Sequence, residues 1–299
     1  MGPERRLGFT AAAALLALIA ALCISGCGAG QATAQGRTTL KKLSLSSGGR
    51  QRSYLLQVPA NHKRAMPLVI VLHGADETAR STLNRTDFAA VARQRGWLLA
   101  VPQGYANTWN AGTGGTAAAT AGVDDVSFIA SMVARIRSSY PVDSKRIAAA
   151  GFSNGALLAQ LLGCRLANTL TAIAAFEGPL PVGTSAHCAP ARPLDVLGVH
   201  GTADASIPYK GGTFVGVGGR PVTVLSAPAS TARWATMDRC GTRPQARKLG
   251  TRQTTTYAGC RGGARVELVT VPGGTHDWAP DSAQLVAGAL PGGSAITKK

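Results

Sequence analysis

Aromatic side chains are scarce in this chain: six Phe, five Tyr and four Trp make up 5% of its 299 residues. Acidic residues are also few, 14 Asp and Glu against 31 Lys and Arg, which leaves a formal net charge of +17. Such an excess can draw a protein toward nucleic acid or an anionic surface. Yet there is no run of five or six basic residues, no aromatics interleave with basic ones, and the arginines are scattered from Arg5 to Arg265. That pattern excludes a dedicated nucleic-acid module and describes a basic, solvated surface. No C-x-x-C pair occurs and no His stands at ligand spacing, so neither a zinc site nor any other metal or cofactor is expected. Internal repeats and low-complexity blocks are missing as well.

What is present is enough apolar residue for a sizeable core. A 45% hydrophobic content with 15% charged residues excludes intrinsic disorder and a polytopic membrane protein. The N-terminus places Arg5 and Arg6 before an apolar stretch from Leu7 to Ile24, a signal peptide in form. Its length is borderline for a permanent membrane anchor, so length does not decide between the two. The end of the stretch does: Ile24-Ser25-Gly26-Cys27 resembles a bacterial lipobox, whose Cys becomes the lipidated first residue. The expected organisation is a signal peptide over 1–26, a lipid-anchored tether over 27–44 and a single domain over 45–299. The mature protein is then exported and held by lipid to the outer face of the membrane, with a share released.

Removing Cys23 with the signal and Cys27 to lipid leaves Cys164, Cys188, Cys240 and Cys260. Four cysteines allow three connectivities, and disulfides fit an oxidising compartment. The chain path favours Cys164 with Cys188 and Cys240 with Cys260. After Cys164 the chain traverses the apolar run Thr171 to Phe176 and returns through a Pro/Gly loop to Cys188, while Cys240 and Cys260 bracket a polar, basic loop.

Apolar runs of strand length lie at Tyr54–Val58, Leu68–Leu72, Trp97–Val101, Arg146–Ala150, Asp195–Val199 and Val266–Val271. Helical spacing is found at Thr86–Gln94, Val126–Tyr140, Ala156–Leu166, Ala229–Met237 and Ser282–Ala289. The alternation predicts an α/β fold, a mostly parallel sheet covered by helices on both faces. Ligands gather at the carboxyl ends of such strands. There stand His73-Gly74-Ala75, Gly151-Phe152-Ser153-Asn154-Gly155, His200-Gly201-Thr202-Ala203-Asp204 and Gly273-Gly274-Thr275-His276-Asp277-Trp278.

Gly151 to Gly155 is a G-x-S-x-G string between a short apolar strand and an Ala/Leu-rich helix, the setting of a nucleophile elbow. The bare string is common in a glycine-rich chain; its flanks give it meaning. A serine hydroxyl needs a base, and the base needs a third group to hold its tautomer. Asp204 and His276 follow Ser153 in the order Ser, acid, His. Asp195 begins a strand, Asp238 sits in a helical pattern and Asp277 adjoins the base, all poorer positions for the acid. Among the other histidines, His62 lies in a polar loop, His187 precedes a disulfide Cys, and His73 and His200 are placed to brace strand-end loops. Backbone N–H groups of Asn154 and Ala75 are the expected oxyanion donors.

Together these strings resemble the secreted poly(3-hydroxybutyrate) depolymerase and feruloyl esterase-like group of α/β-hydrolases, within carbohydrate esterase family one. The matching segments also include Val123-Asp124-Asp125-Val126 with Phe128-Ile129, Tyr140-Pro141-Val142-Asp143, Ile207-Pro208-Tyr209, and Trp234 with Cys240. They run from about residue 50 to 280. The resemblance implies Ser153, Asp204 and His276 as a triad and a structural role for Asp124 and Asp125. Thr275 and Ala279 replace a Gly and a Pro common in the last loop of that group. Binding modules of the kind appended to many polymer depolymerases are not expected here, so solid polyester is a doubtful substrate. The expected activity is serine ester hydrolysis of short-chain, aryl (feruloyl-type) or hydroxyalkanoate esters. The alternatives are an envelope acyltransferase using a sugar or lipid hydroxyl, and a non-catalytic envelope binding protein.

Overall fold

The computed structural model describes residues 37–290. The strands are β1 (Thr38–Ser47), β2 (Arg50–Pro59), β3 (Met66–Leu72), β4 (Leu98–Pro102), β5 (Val142–Phe152), β6 (Ala172–Phe176), β7 (Asp195–Gly201), β8 (Gly212–Val215), β9 (Pro221–Val224), β10 (Gln245–Leu249), β11 (Arg252–Tyr257) and β12 (Val266–Val271). The helices are α1 (Ala79–Arg85), α2 (Phe88–Arg95), α3 (Ala117–Thr120), α4 (Asp125–Ser139), α5 (Asn154–Arg165), α6 (Val182–Ala186), α7 (Ala227–Met237) and α8 (Ser282–Ala289).

Ten strands share one sheet in the order β1-β2-β4-β3-β5-β6-β7-β12-β11-β10. The six from β4 to β12 run parallel, and antiparallel pairs close both edges. All seven residues of β3 are buried, because both faces of this sheet are covered. Leu68, Ile70 and Leu72 join a core with Phe128 and Met132 of α4 and Leu158 of α5. Val69 and Val71 point the other way, toward Phe88 of α2 and Val286 of α8. The chain leaves β3 for β4 on one side and returns to β5 on the other, so the order reverses beside β3. The crevice at that switch point is where a ligand site forms. The Ala75 loop and the Ser153 turn both open onto it.

Two expectations need correction. The boundary at 45 expected between a tether over 27–44 and the domain falls inside a strand, because β1 begins at Thr38 and pairs along its whole length with β2. The polar segment between the last two cysteines is not a loop but the β10–β11 hairpin. The structural role expected of Asp124 and Asp125 takes two forms: Asp124 caps α4 through Ser127 N–H, and Asp125 is buried in an ion pair with Arg52 at 2.6 Å. The expected signal peptide and Cys27 lie outside the described residues. Cys164 is bonded to Cys188 and Cys240 to Cys260, the pairs the chain path favours.

Candidate active site

Ser153 sits between β5 and α5 with φ 53° and ψ −120°, a strained conformation for a side-chain-bearing residue. The turn is that sharp because its flanks are glycine. A Cβ on Gly151 would collide with the Gly155 carbonyl, and one on Gly155 with the carbonyls of Leu72 and His73. Its N–H donates to Phe176 O at 3.0 Å, which ties the turn to β6.

The three sequence-predicted residues come together. His276 Nε2 lies 2.9 Å from Ser153 Oγ, and His276 Nδ1 lies 2.7 Å from Asp204 Oδ2. Asp204 Oδ1 accepts the N–H groups of Ser206 and Ile207 at 2.8 and 2.9 Å. Burial alone would raise the Asp204 pKa; the His200 imidazole 3.3 Å away and the hydrogen bonds from His276 and Ile207 N–H outweigh it and hold the carboxylate far below the usual range. It therefore stays ionised wherever the imidazole needs it.

The loops carrying acid and base are joined directly. Ala203 N–H donates to Gly274 O at 2.9 Å and Gly273 N–H to Thr202 Oγ1 at 2.9 Å. Gly201 and Gly274 approach so closely that a side chain on Gly201 would strike the Gly274 backbone. Beneath His276, Phe152 stacks on Trp278 with ring centroids 5.3 Å apart and sits 4.9 Å from the imidazole. These aromatic contacts fix the base over the nucleophile.

Of the other histidines, His73 is buried, donates from Nδ1 to Gly74 O and accepts Gly104 N–H at Nε2. Burial lowers its pKa to about 4, the Gly74 bond opposing only in part. His200 donates from Nε2 to Ile207 O at 2.9 Å. Both brace loops. Glu177, His200 and Asp204 place one ligand-type atom each within 4.8 Å of one another. Their groups are engaged within the protein, so the cluster is a hydrogen-bonded network around Asp204.

Of the two expected oxyanion donors, Asn154 lines the cavity beside Ser153. Among the described residues, the N–H groups of Ala75 and Asn154 donate to no protein acceptor. Sequence reasoning missed what holds them. The Asn154 side chain accepts Trp109 N–H at 2.7 Å and donates to Trp109 O at 3.2 Å. Glu77 accepts Gly74 N–H at 3.1 Å and pairs with Arg85, which also reaches Asp277.

Beside Ser153 opens a cavity of about 370 Å³, lined by Leu157, Ile207, Phe214, Val215 and Val222 with Thr113, Thr116 and Ser206. No charged side chain lines it. One wall is the β8–β9 hairpin, whose Val215 is 77% exposed at the rim. The hairpin thus forms a short apolar side of the cavity.

Residues 52–207 match the family described as Esterase PHB depolymerase. The chain belongs to that family. It is 37% identical over 170 residues to feruloyl esterase B of Piromyces equi, covering 56% of this chain and 31% of that protein. It thus spans about a third of that relative's length. It is 28% identical over 263 residues to the protein NocK of Nocardia uniformis subsp. tsuyamanensis, covering 82% and 75% of the two chains. Among solved structures it is similar to the acetyl xylan esterase from Aspergillus awamori, with TM-score 0.59 at 15% identity, covering 80% of this chain and 94% of that one. A likeness at that identity shows the fold, which is the α/β-hydrolase fold.

Proposed function

We propose that the chain is a serine carboxylic ester hydrolase acting through an acyl-enzyme on Ser153. The observation that carries this reading is the continuous path from Ser153 Oγ to His276 Nε2 at 2.9 Å and from Nδ1 to Asp204 at 2.7 Å. In the first step Oγ attacks the ester carbonyl carbon while Nε2 takes its proton. Asp204 holds the Nδ1–H tautomer and stabilises the imidazolium. The tetrahedral oxyanion is received by the N–H groups of Asn154 and Ala75. His276 returns the proton to the leaving alkoxide, and the alcohol departs. Water, deprotonated by the same nitrogen, then opens the acyl-enzyme and Ser153 recovers its proton.

The apolar, uncharged cavity supports short-chain, aryl or hydroxyalkanoate acyl groups as substrates. A panel of p-nitrophenyl esters of rising chain length, with methyl ferulate, acetylated xylan and hydroxybutyrate oligomers, tests this. Turnover of aryl or short acyl esters supports the reading. No hydrolysis anywhere in the panel, or transfer to added sugar hydroxyls outrunning hydrolysis, contradicts it.

The two disulfides support an exported protein. We further propose that Cys27 carries lipid and tethers the domain to the membrane. Replacing Cys27→Ala should abolish palmitate incorporation and detergent partitioning. A variant that stays membrane-bound after a high-salt wash would instead favour an uncleaved anchor.

A further inference from the structure

The carboxyl end of β6 carries a residue the proposed reaction does not use. Glu177 is 4% exposed and stands at φ 53°, in the left-handed region that side-chain-bearing residues avoid. Its N–H is bonded to Val199 O, and the unusual turn sends its carboxyl toward the end of β7. Both carboxyl oxygens accept Gly201 N–H, at 3.1 and 3.0 Å. A Glu177 carboxyl oxygen also lies within 4.8 Å of a carboxyl oxygen of Asp204, itself only 7% exposed.

Two buried carboxylates at such a distance cannot both stay charged without a cation between them. The groups that face Glu177 are His200 from β7, Asp204 from the following loop, and Asp277 beside His276 from the loop after β12. Tyr209 packs edge-on against His200, and the Arg85 guanidinium is spent on Glu77 and Asp277. No lysine or arginine among the described residues bonds Glu177 or Asp204. His200 Nε2–H is directed at Ile207 O, 2.9 Å away, with the Glu177 and Asp204 oxygens farther off at 3.4 and 3.3 Å. One proton must therefore sit between the two carboxyl groups. Asp204 accepts from His276, Ser206 and Ile207, so the proton resides on Glu177.

We propose that Glu177 is a positioning residue for the reaction: as a neutral carboxylic acid it donates to Asp204 and holds that carboxylate against His276 Nδ1. The inference rests on the esterase reading above. Burial and the adjoining Asp204 carboxylate together push the Glu177 carboxyl up to about 9, the Gly201 N–H opposing only in part. Below that pH the donor is in place. Above it, a second negative charge adjoins Asp204 and the donor is gone.

The test compares wild type, Glu177→Gln and Glu177→Ala. Kinetics on p-nitrophenyl butyrate across neutral and alkaline pH are read beside the infrared stretch of a protonated carboxyl. Glutamine keeps a donor for Asp204 and an acceptor for Gly201 N–H. It should hold kcat within about threefold at neutral pH, and the wild-type fall in kcat near pH 9 should vanish. Alanine should lower kcat by about ten- to a hundredfold with KM changed less than about threefold. The protonated-carboxyl band should titrate away near pH 9 in wild type and be absent from Glu177→Gln. A band unaffected by Glu177→Gln, or an alkaline fall kept by Glu177→Gln, would overturn the proposal. If Glu177→Ala fails to fold, the glutamine profile and the band still decide. Should wild type hydrolyse no ester, the esterase reading fails and the band alone judges Glu177.

Discussion

His276 Nε2 stands 2.9 Å from Ser153 Oγ although 123 residues separate them in the chain. The contact exists because β5 and β12 end on one edge of the sheet and because the base loop is zipped to the acid loop through Gly201 and Gly274. The account therefore gives each side chain a distinct fault when it is replaced.

For Asp204→Asn the backbone N–H bonds from Ser206 and Ile207 can still orient the group. An amide that turns its NH2 toward Nδ1 selects the wrong imidazole tautomer. A fall in kcat on the order of ten-thousandfold is expected, by analogy with serine proteases, with little change in melting temperature. Steady-state kinetics checks it. A mild effect would transfer the acid role elsewhere, yet Asp277 is engaged by Arg85, and Asp195 lies at the opposite end of its strand.

Phe214, Val215 and Val222 place the β8–β9 hairpin against the cavity beside Ser153. Phe214→Ala should enlarge that cavity and shift the preferred p-nitrophenyl ester toward longer acyl chains. A gain of about tenfold in relative kcat/KM per added methylene is the scale to expect, the worth of one methylene in an apolar pocket. An unchanged chain-length profile would remove the hairpin from substrate selection.

How much of this was legible in the sequence follows the burial of each segment. β3 and β4 are continuous apolar runs, β5, β7 and β12 are mostly apolar over the stretches leading to their carboxyl ends, and the catalytic candidates stand just beyond four of these strands; both are visible without a structure. β10 was not, because all five of its residues, Gln-Ala-Arg-Lys-Leu, are exposed and carry no apolar alternation. β1 hides for a related reason: it is an edge strand, and its polar residues read as tether. The β8–β9 hairpin is short, and its Gly216-Val217-Gly218-Gly219 tip reads as loop. Glu177 escaped because its role depends on one left-handed backbone turn and on a partner 27 positions away, neither of which has a local signature.

Asp238 caps α7 at 0% exposure, and neither carboxyl oxygen has a hydrogen-bond partner; Leu194 N–H approaches without completing one. Burial raises its pKa to about 7 from 3.8. The folded state thus binds the extra proton, so this group's destabilising effect sets in as pH rises through that window and is complete above about pH 7. Asp238→Asn should stabilise the protein by roughly 3 kcal/mol at neutral to alkaline pH and scarcely at all near pH 4. Melting temperatures across that range check the sign. A gain independent of pH would contradict it.

Cys164 lies in the last turn of α5 and Cys188 just after α6, while Cys240 and Cys260 close the β10–β11 hairpin. Replacing either pair by alanine should cost about 3 kcal/mol of stability, read from denaturant unfolding. Loss of the second pair should leave kcat unchanged, because that hairpin sits at the far edge of the sheet from β5. A large fall in kcat with folding intact would tie that edge to the site.

The central claim is that Ser153 is the nucleophile, and covalent labelling by a fluorophosphonate probe reads it without any choice of substrate. Peptide mapping should find wild-type protein carrying one phosphonyl group, on Ser153. Ser153→Ala should take up none while melting within a few degrees of wild type, since the serine makes no helix-capping hydrogen bond. Labelling of a folded Ser153→Ala protein, or of a different residue in wild type, would contradict the account.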